Sequence, residues 1–182
     1  MSEKMKIFAN LKDRCDEPEA PPAFDFAAMR FDDPIEAFKN ALKAAGGDAT
    51  EVRGDLKEAI SAAFADATIA VDTRLDPVVV PEKLSTVGLA IVEASFGVAE
   101  NGAVWIDPRD RYPRELLTLA ENLAVLLPAE RIVATMHEAY ERIDLSETGY
   151  ALFLCGPSKT ADIEQALVIG AHGAIALRVF LT

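Results

Sequence analysis

Cysteine is scarce in this chain, with Cys15 and Cys155 alone among 182 residues. Two distant cysteines make no disulfide framework, and they fall short of the four thiolates that an iron–sulfur cluster ordinarily takes. Histidine is equally rare: neither His137 nor His172 sits in a Cys/Asp cluster at ligand spacing, so no metal ligands are expected. No G-x-G-x-x-G occurs, and the P-loop spacing is missing around Lys159. The longest apolar stretch, Val87 to Ala99, is too short to span a bilayer as a helix and contains Glu93. The first residues, MSEKMKIFANLKDRC, carry charges and no apolar h-region, which argues against a secretory signal. The expectation is a cytoplasmic protein with no membrane insertion. Positive charge is also in deficit, with 18 Lys/Arg against 30 Asp/Glu and a net charge of −12. Residues 1–66 carry nine against 14 and residues 67–182 nine against 16, so neither part forms a basic module. A negative field spread over the whole chain repels nucleic acid and anionic membranes.

What is present is ordinary globular material. Half of the residues (51%) are apolar and 26% are charged, enough to build a core without metal or disulfide. Residues 1–66 read as a helical and loop-rich segment. The stretch EPEAPPAFD (17–25) is a Pro-rich acidic connector. DDPIEAFKNALKAAGG follows, with Asp32 or Asp33 as N-cap, Pro34 at the first helical position, Ile35, Phe38 and Leu42 as the apolar stripe, and Gly46-Gly47 as the stop. DLKEAISAAFADA repeats the pattern through Leu56, Ile60 and Phe64. From residue 67 onward the character changes. ATIAVD, TVGLAIVEASFGVA, AVWID, NLAVLLP, RIVAT, GYALFLCG and IALRVFLT are continuous apolar runs, with HEAYERI as a short helix. Such runs interleaved with helices predict an α/β core, residues 67–182, around a mostly parallel sheet buried on both faces.

Two segments carry the candidate chemistry. In FLCGPSKTADIEQALVIGAHG (153–173) the spacing predicts a strand to Cys155, a break at Gly156-Pro157, and a helix over 160–172. Thr160 would be its N-cap, Asp162 and Glu164 would lie in its first turn, and His172-Gly173 would close it. Capping alone accounts for that helix. GPSKT adds the hydroxyls of Ser158 and Thr160 and the Lys159 ammonium to free backbone N–H groups, which suits an anion. In GVAENGAVWID (97–107), Asn101-Gly102 signals a tight hairpin turn, and the neighbouring Glu100 is a candidate base or nucleophile. Cys155 would gain acidity from the expected helix N-terminus, although a buried thiol at a strand end is the commoner arrangement. His137 reads as a residue on a solvated helix face. DPRDRYPR (107–114) brings Arg109, Arg111 and Arg114 together between prolines as a mobile basic loop, either a lid or simply exposed.

On these two segments the chain resembles the lactate-utilization protein C family, the LUD domain, whose members carry an A-E-T-G-T-like segment and then G-P-S-[RK]-T-A-D-I-E. The resemblance covers roughly residues 67–182. It implies a fold similar to the NagB/RpiA/CoA-transferase group, with Rossmann-like layering, and a role in bacterial oxidation of L-lactate to pyruvate. It further implies work alongside an iron–sulfur subunit and a cysteine-rich subunit, with no cofactor bound by this chain. Glu100 and Gly102 fall on the first motif; Gly156, Pro157, Ser158, Lys159, Thr160, Asp162 and Glu164 fall on the second. The expected site is therefore Glu100 as the reactive or polar group, with Gly102, Gly156, Ser158, Lys159, Thr160 and Asp162 around a small carboxylate or phosphate ligand. Asn101 stands where the family usually has Thr, Cys155 where a small polar residue is common, and Arg131 where His is frequent. AENG is also similar to the S-E-N-G of related CoA-transferases, in which the Glu attacks a thioester. A stand-alone CoA or acyl transferase using Glu100 is thus the alternative reading.

Overall fold

The computed structural model describes residues 30–75, 81–109, 111–144, 146, 149–163 and 166–182; the Pro-rich connector at 17–25 and Cys15 lie outside them. Helix α1 (Pro34–Ala44) starts where the cap signals place it. The Asp33 carboxylate accepts from the Glu36 amide at 3.0 Å, and Pro34, which has no N–H to leave unpaired, opens the first turn. Phe38 and Leu42 on its apolar stripe are fully buried. The helix ends in a Schellman turn: the Gly47 amide donates to Leu42 O, the Gly46 amide donates to Lys43 O, and Gly46 takes φ +85°. Strand β1 (Asp48–Glu51) follows directly, so the N-terminal segment contributes a strand as well as helices. Helix α2 (Leu56–Ala63) is capped by Asp55, whose carboxylate accepts from the Glu58 amide.

Strands β2 (Ala70–Asp72), β3 (Leu89–Glu93), β6 (Asn122–Leu127) and β11 (Ala176–Leu181) join β1 in a five-stranded sheet. Its order is β1-β11-β6-β3-β2 and every pair is parallel, so the protein is α/β with a mostly parallel sheet. The two-residue period of a strand sends alternate side chains to opposite faces. On one face Ala90, Val92, Leu123, Val125, Leu127, Leu177, Val179 and Leu181 join Phe38 and Leu42 of α1 in the larger core. On the other, Leu89, Ala124, Leu126 and Phe180 pack against Ile60 of α2. Both faces are covered, which is why these strands read as unbroken apolar runs.

A second, four-stranded sheet lies against the larger core. Its order is β7-β4-β5-β8, built from β4 (Phe96–Val98), β5 (Val104–Ile106), β7 (Ile132–Val133) and β8 (Leu152–Leu154). Val104 and Ile106 turn toward α1, while Phe96, Trp105 and Phe153 cluster together, with Trp105 and Phe153 ring centroids 4.7 Å apart. Helix α4 (Met136–Arg142) covers part of this cluster and begins at an N-cap on Thr135, matching the expected short helix. A four-residue helix, α3 (Leu116–Leu119), leads into β6.

The helix expected over 160–172 does not form. Strands β9 (Lys159–Ile163) and β10 (Ala166–Ile169) make an antiparallel hairpin there, pairing Thr160 with Val168 and Lys159 with Ile169. The helical reading required Ile163, Ala166, Leu167 and Gly170 to form one buried face, yet Leu167 is 63% and Ile169 51% exposed. With Leu167 and Ile169 left exposed among the described residues, the local ladder bonds of a hairpin prevail. Gly170 confirms the change, because it takes φ +77° and donates its amide to Ser158 O, which no helix interior allows.

Two outcomes test this packing. Phe38→Ala should lower stability by about 3–5 kcal/mol in urea titration, since it empties a site closed on all sides. Tyr112 is buried, its hydroxyl has no partner among the described residues, and desolvation pushes the phenol up to about 12. The unfolded chain ionises this residue from about pH 10, so stability should fall as pH rises between about 10 and 12. Tyr112→Phe should flatten that slope without loss of stability at neutral pH.

Candidate functional site

The β4–β5 turn is a four-residue loop, Ala99–Gly102, rather than a two-residue one. Val98 donates to Ala103 O, Gly102 donates back to Val98 O at 2.8 Å, and Asn101 Oδ1 accepts from the Ala103 amide. Gly102 closes the loop at φ +73°. A Cβ there would lie 2.3 Å from the Leu42 amide nitrogen and 2.6 Å from Leu42 Cα, so the loop backbone rests directly on α1. Glu100 is exposed, yet it is anchored: its amide donates to Ala134 O at 3.0 Å, and Oε2 accepts from the Met136 amide at 2.8 Å. Met136 is the first residue of α4, so the carboxylate sits on a helix N-terminus and satisfies one of its unpaired donors.

The second segment reaches the same helix from another side. Gly156 takes φ +74°, and a Cβ there would come within 2.5 Å of Ala45 O. Lys159 donates from its ammonium to that same Ala45 oxygen, at the C-terminal end of α1, where cations are favoured. Ser158 donates its amide to Ala174 O and accepts from Gly170, which ties the start of β9 to the entry of β11. Thr160 lies on β9 opposite Val168, and Asp162 lies further along the same strand. Thr160 therefore caps no helix, and the helix dipole invoked for an anion at GPSKT is absent.

The two segments meet. The Cys155 thiol donates to Asn101 O at 3.1 Å, and Gly102 and Gly156 both press on the last turns of α1. Glu100, Ser158, Lys159 and Thr160 lie on these two segments, with the Glu100 carboxylate at the start of α4 and the Lys159 ammonium at the end of α1. Lys159 has three N–H donors, and the contact with Ala45 uses one of them. Sequence reasoning missed the third participant, the α1 turn at Ala45–Gly47, because the Gly46-Gly47 pair signals only a helix stop.

The lesser candidates are placed plainly. Burial pushes the Cys155 thiol up despite the nearby Lys159 charge, the opposite of an activated nucleophile, and the helix N-terminus expected beside it is missing. His137 is exposed in the first turn of α4, and His172 is exposed after β10. In its described residues the arginine-rich loop is tied to neighbouring groups. Buried Asp107 accepts from the Arg109 amide and Nε, Arg111 donates to Pro108 O and Asp107 O, and the Arg114 guanidinium stands 5.3 Å over the Tyr150 ring.

The LUD domain matches residues 55–182. A lactate utilization protein C of Halalkalibacterium halodurans is 30% identical over 100 residues, covering 52% of this chain and 44% of that protein. Another from Geobacillus thermodenitrificans is 33% identical over 95 residues, covering 49% of this chain and 39% of that protein. The chain thus spans less than half the length of these curated relatives. Among solved structures, a DUF162 family protein from Deinococcus radiodurans superposes with a TM-score of 0.63 at 17% identity, over 81% of this chain and 95% of that one. This last likeness concerns the fold.

Gly102→Ala should cost at least about 3 kcal/mol or prevent folding, because a methyl group meets helix backbone that has no room to move and φ is left-handed. Glu100→Gln keeps an acceptor for Met136 and should cost under about 1 kcal/mol. Both are read from urea midpoints, and a neutral Gly102→Ala would show that the loop does not rest on α1.

Proposed function

This chain belongs to the LUD domain family, and we propose that it serves L-lactate utilization, the oxidation of lactate to pyruvate, as a non-redox subunit or accessory factor binding a small anionic ligand. That oxidation removes two electrons and two protons. With two cysteines in the whole sequence, this chain lacks the thiolates to house a cluster, so the electrons pass to an iron–sulfur subunit and a cysteine-rich subunit. The compartment proposed is the cytoplasm. Among the described residues, no helix is long and apolar enough to cross a membrane.

The observation that carries the ligand part is the contact between the two motif segments at Cys155 and Asn101. Residues far apart in sequence then bound one junction. Lys159 supplies the charge, Ser158 and Thr160 orient a carboxylate, and Glu100 receives a hydroxyl through its uncommitted oxygen. Gly102, Gly156 and Asp162 complete the proposed set as parts of the same segments. A second reading rests on the exposure of Glu100. Its carboxylate would attack a thioester carbonyl, expel coenzyme A as the thiolate and leave an acyl anhydride on Glu100. The Met136 bond instead supports a capping role.

Deleting the gene should abolish growth on L-lactate as sole carbon source while sparing growth on pyruvate, and the wild-type chain should restore it. Unchanged lactate growth would overturn the proposal. Restoration by Lys159→Glu would remove the ligand part alone. The purified chain incubated with a CoA thioester should show no mass adduct at Glu100; an adduct would favour the transferase.

A further inference from the structure

A different cavity, of about 510 Å³, opens over the carboxyl ends of β2, β3, β6 and β11. Its wall includes Arg74 just after β2, Glu93 and Ser95 at the end of β3, Arg111, and Arg131 just after β6. Three arginines and one glutamate thus line it, in a chain whose net charge is −12. The carboxyl ends of parallel strands are where loops diverge and leave a crevice, the usual ligand position in open α/β sheets. Leu56, at the N-terminus of α2, and Leu126 supply apolar surface beside the charges, the mixture expected of a small-molecule pocket.

The arginines are not equivalent. Arg74 is clamped by Asp72, with Nε to Oδ1 at 2.9 Å and Nη2 to Oδ2 at 2.6 Å. Arg111 gives Nε and Nη2 to backbone oxygens and stands 3.5 Å from Glu93. These bonds hold two positive groups in place before any ligand arrives, so little side-chain entropy is left to lose. Arg131 is exposed, and its guanidinium has no ion pair among the described residues. A planar fork with no side-chain partner among the described residues, beside two arginines held in place by their own partners, suits a carboxylate or phosphate. The Ser95 hydroxyl lies on the same wall.

We propose that this cleft is an oxyanion-binding site for a small phosphate- or carboxylate-bearing molecule, with Arg131 as its principal contact and Arg74 and Arg111 as flanking charges. It is separate from the motif junction, because Gly156 and Lys159 meet the turn that precedes β1, at the opposite, amino edge of the sheet. It does not depend on the lactate reading.

The test is calorimetric titration of the full chain with pyrophosphate and, separately, with pyruvate. At least one should bind saturably in a range on the order of micromolar to millimolar. Arg131→Ala should weaken it about tenfold and Arg131→Glu should abolish it, with urea midpoints unchanged because Arg131 is exposed. Whichever probe binds identifies phosphate or carboxylate as the chemistry read. Failure of both probes, or binding that Arg131→Glu leaves intact, overturns the site. Binding lost in Lys159→Ala and kept in Arg131→Glu also overturns it and returns the ligand to the motif junction.

Discussion

The close approach of two loops to the last turns of α1 is the constraint on which the rest of this structure depends. Gly102 and Gly156 each come so near the helix backbone that a single methyl group would collide with it. Both also hold left-handed φ values, so glycine is required twice over at each position. Between them, the helix buries Phe38 and Leu42, and its Schellman turn passes directly into β1 at the sheet edge. One helix end thereby fixes the placement of the second sheet relative to the first.

The polar residues around that helix end serve the backbone first. Lys159 satisfies a carbonyl at the C-terminus of α1, and Glu100 satisfies an amide at the N-terminus of α4. Each meets the helix pole of opposite sign, where a charge contributes a few tenths to about 1 kcal/mol. Neither contact exhausts its group. An ammonium has donors to spare, and a carboxylate has a second oxygen.

Electrostatically the protein is divided. The chain is acidic overall, while Arg74, held by Asp72, Arg111, held by Glu93, and Arg131 gather at the carboxyl edge of the sheet. Charges lining a recess focus their field within it. Among the exposed aromatic and aliphatic groups, Tyr140 lies on α4 and Leu167 and Ile169 on β10, and none of the three lines that recess.

Much of the fold was legible in the sequence, and the reason is local. The α/β class followed from continuous apolar runs, because strands covered on both faces need no polar alternation. The start of α1 followed from Asp33-Pro34, because a cap acts within three residues of itself. The segment at 159–169 was not legible. Its short apolar pattern fits either period, and only the exposure of Leu167, together with the bond from Gly170 to Ser158, decides for a hairpin. At the site, residue identities could be named in advance, but their duties could not. That Gly102 and Gly156 are spacers against a helix depends on a neighbour distant in the chain. That Arg74, Arg111 and Arg131 share one cleft depends on parallel strands ending at a common edge. Capping and burial periodicity are properties of neighbouring residues, which the sequence by itself determined; close approach and the gathering of charge are properties of the packed sheet, which only the tertiary structure decided.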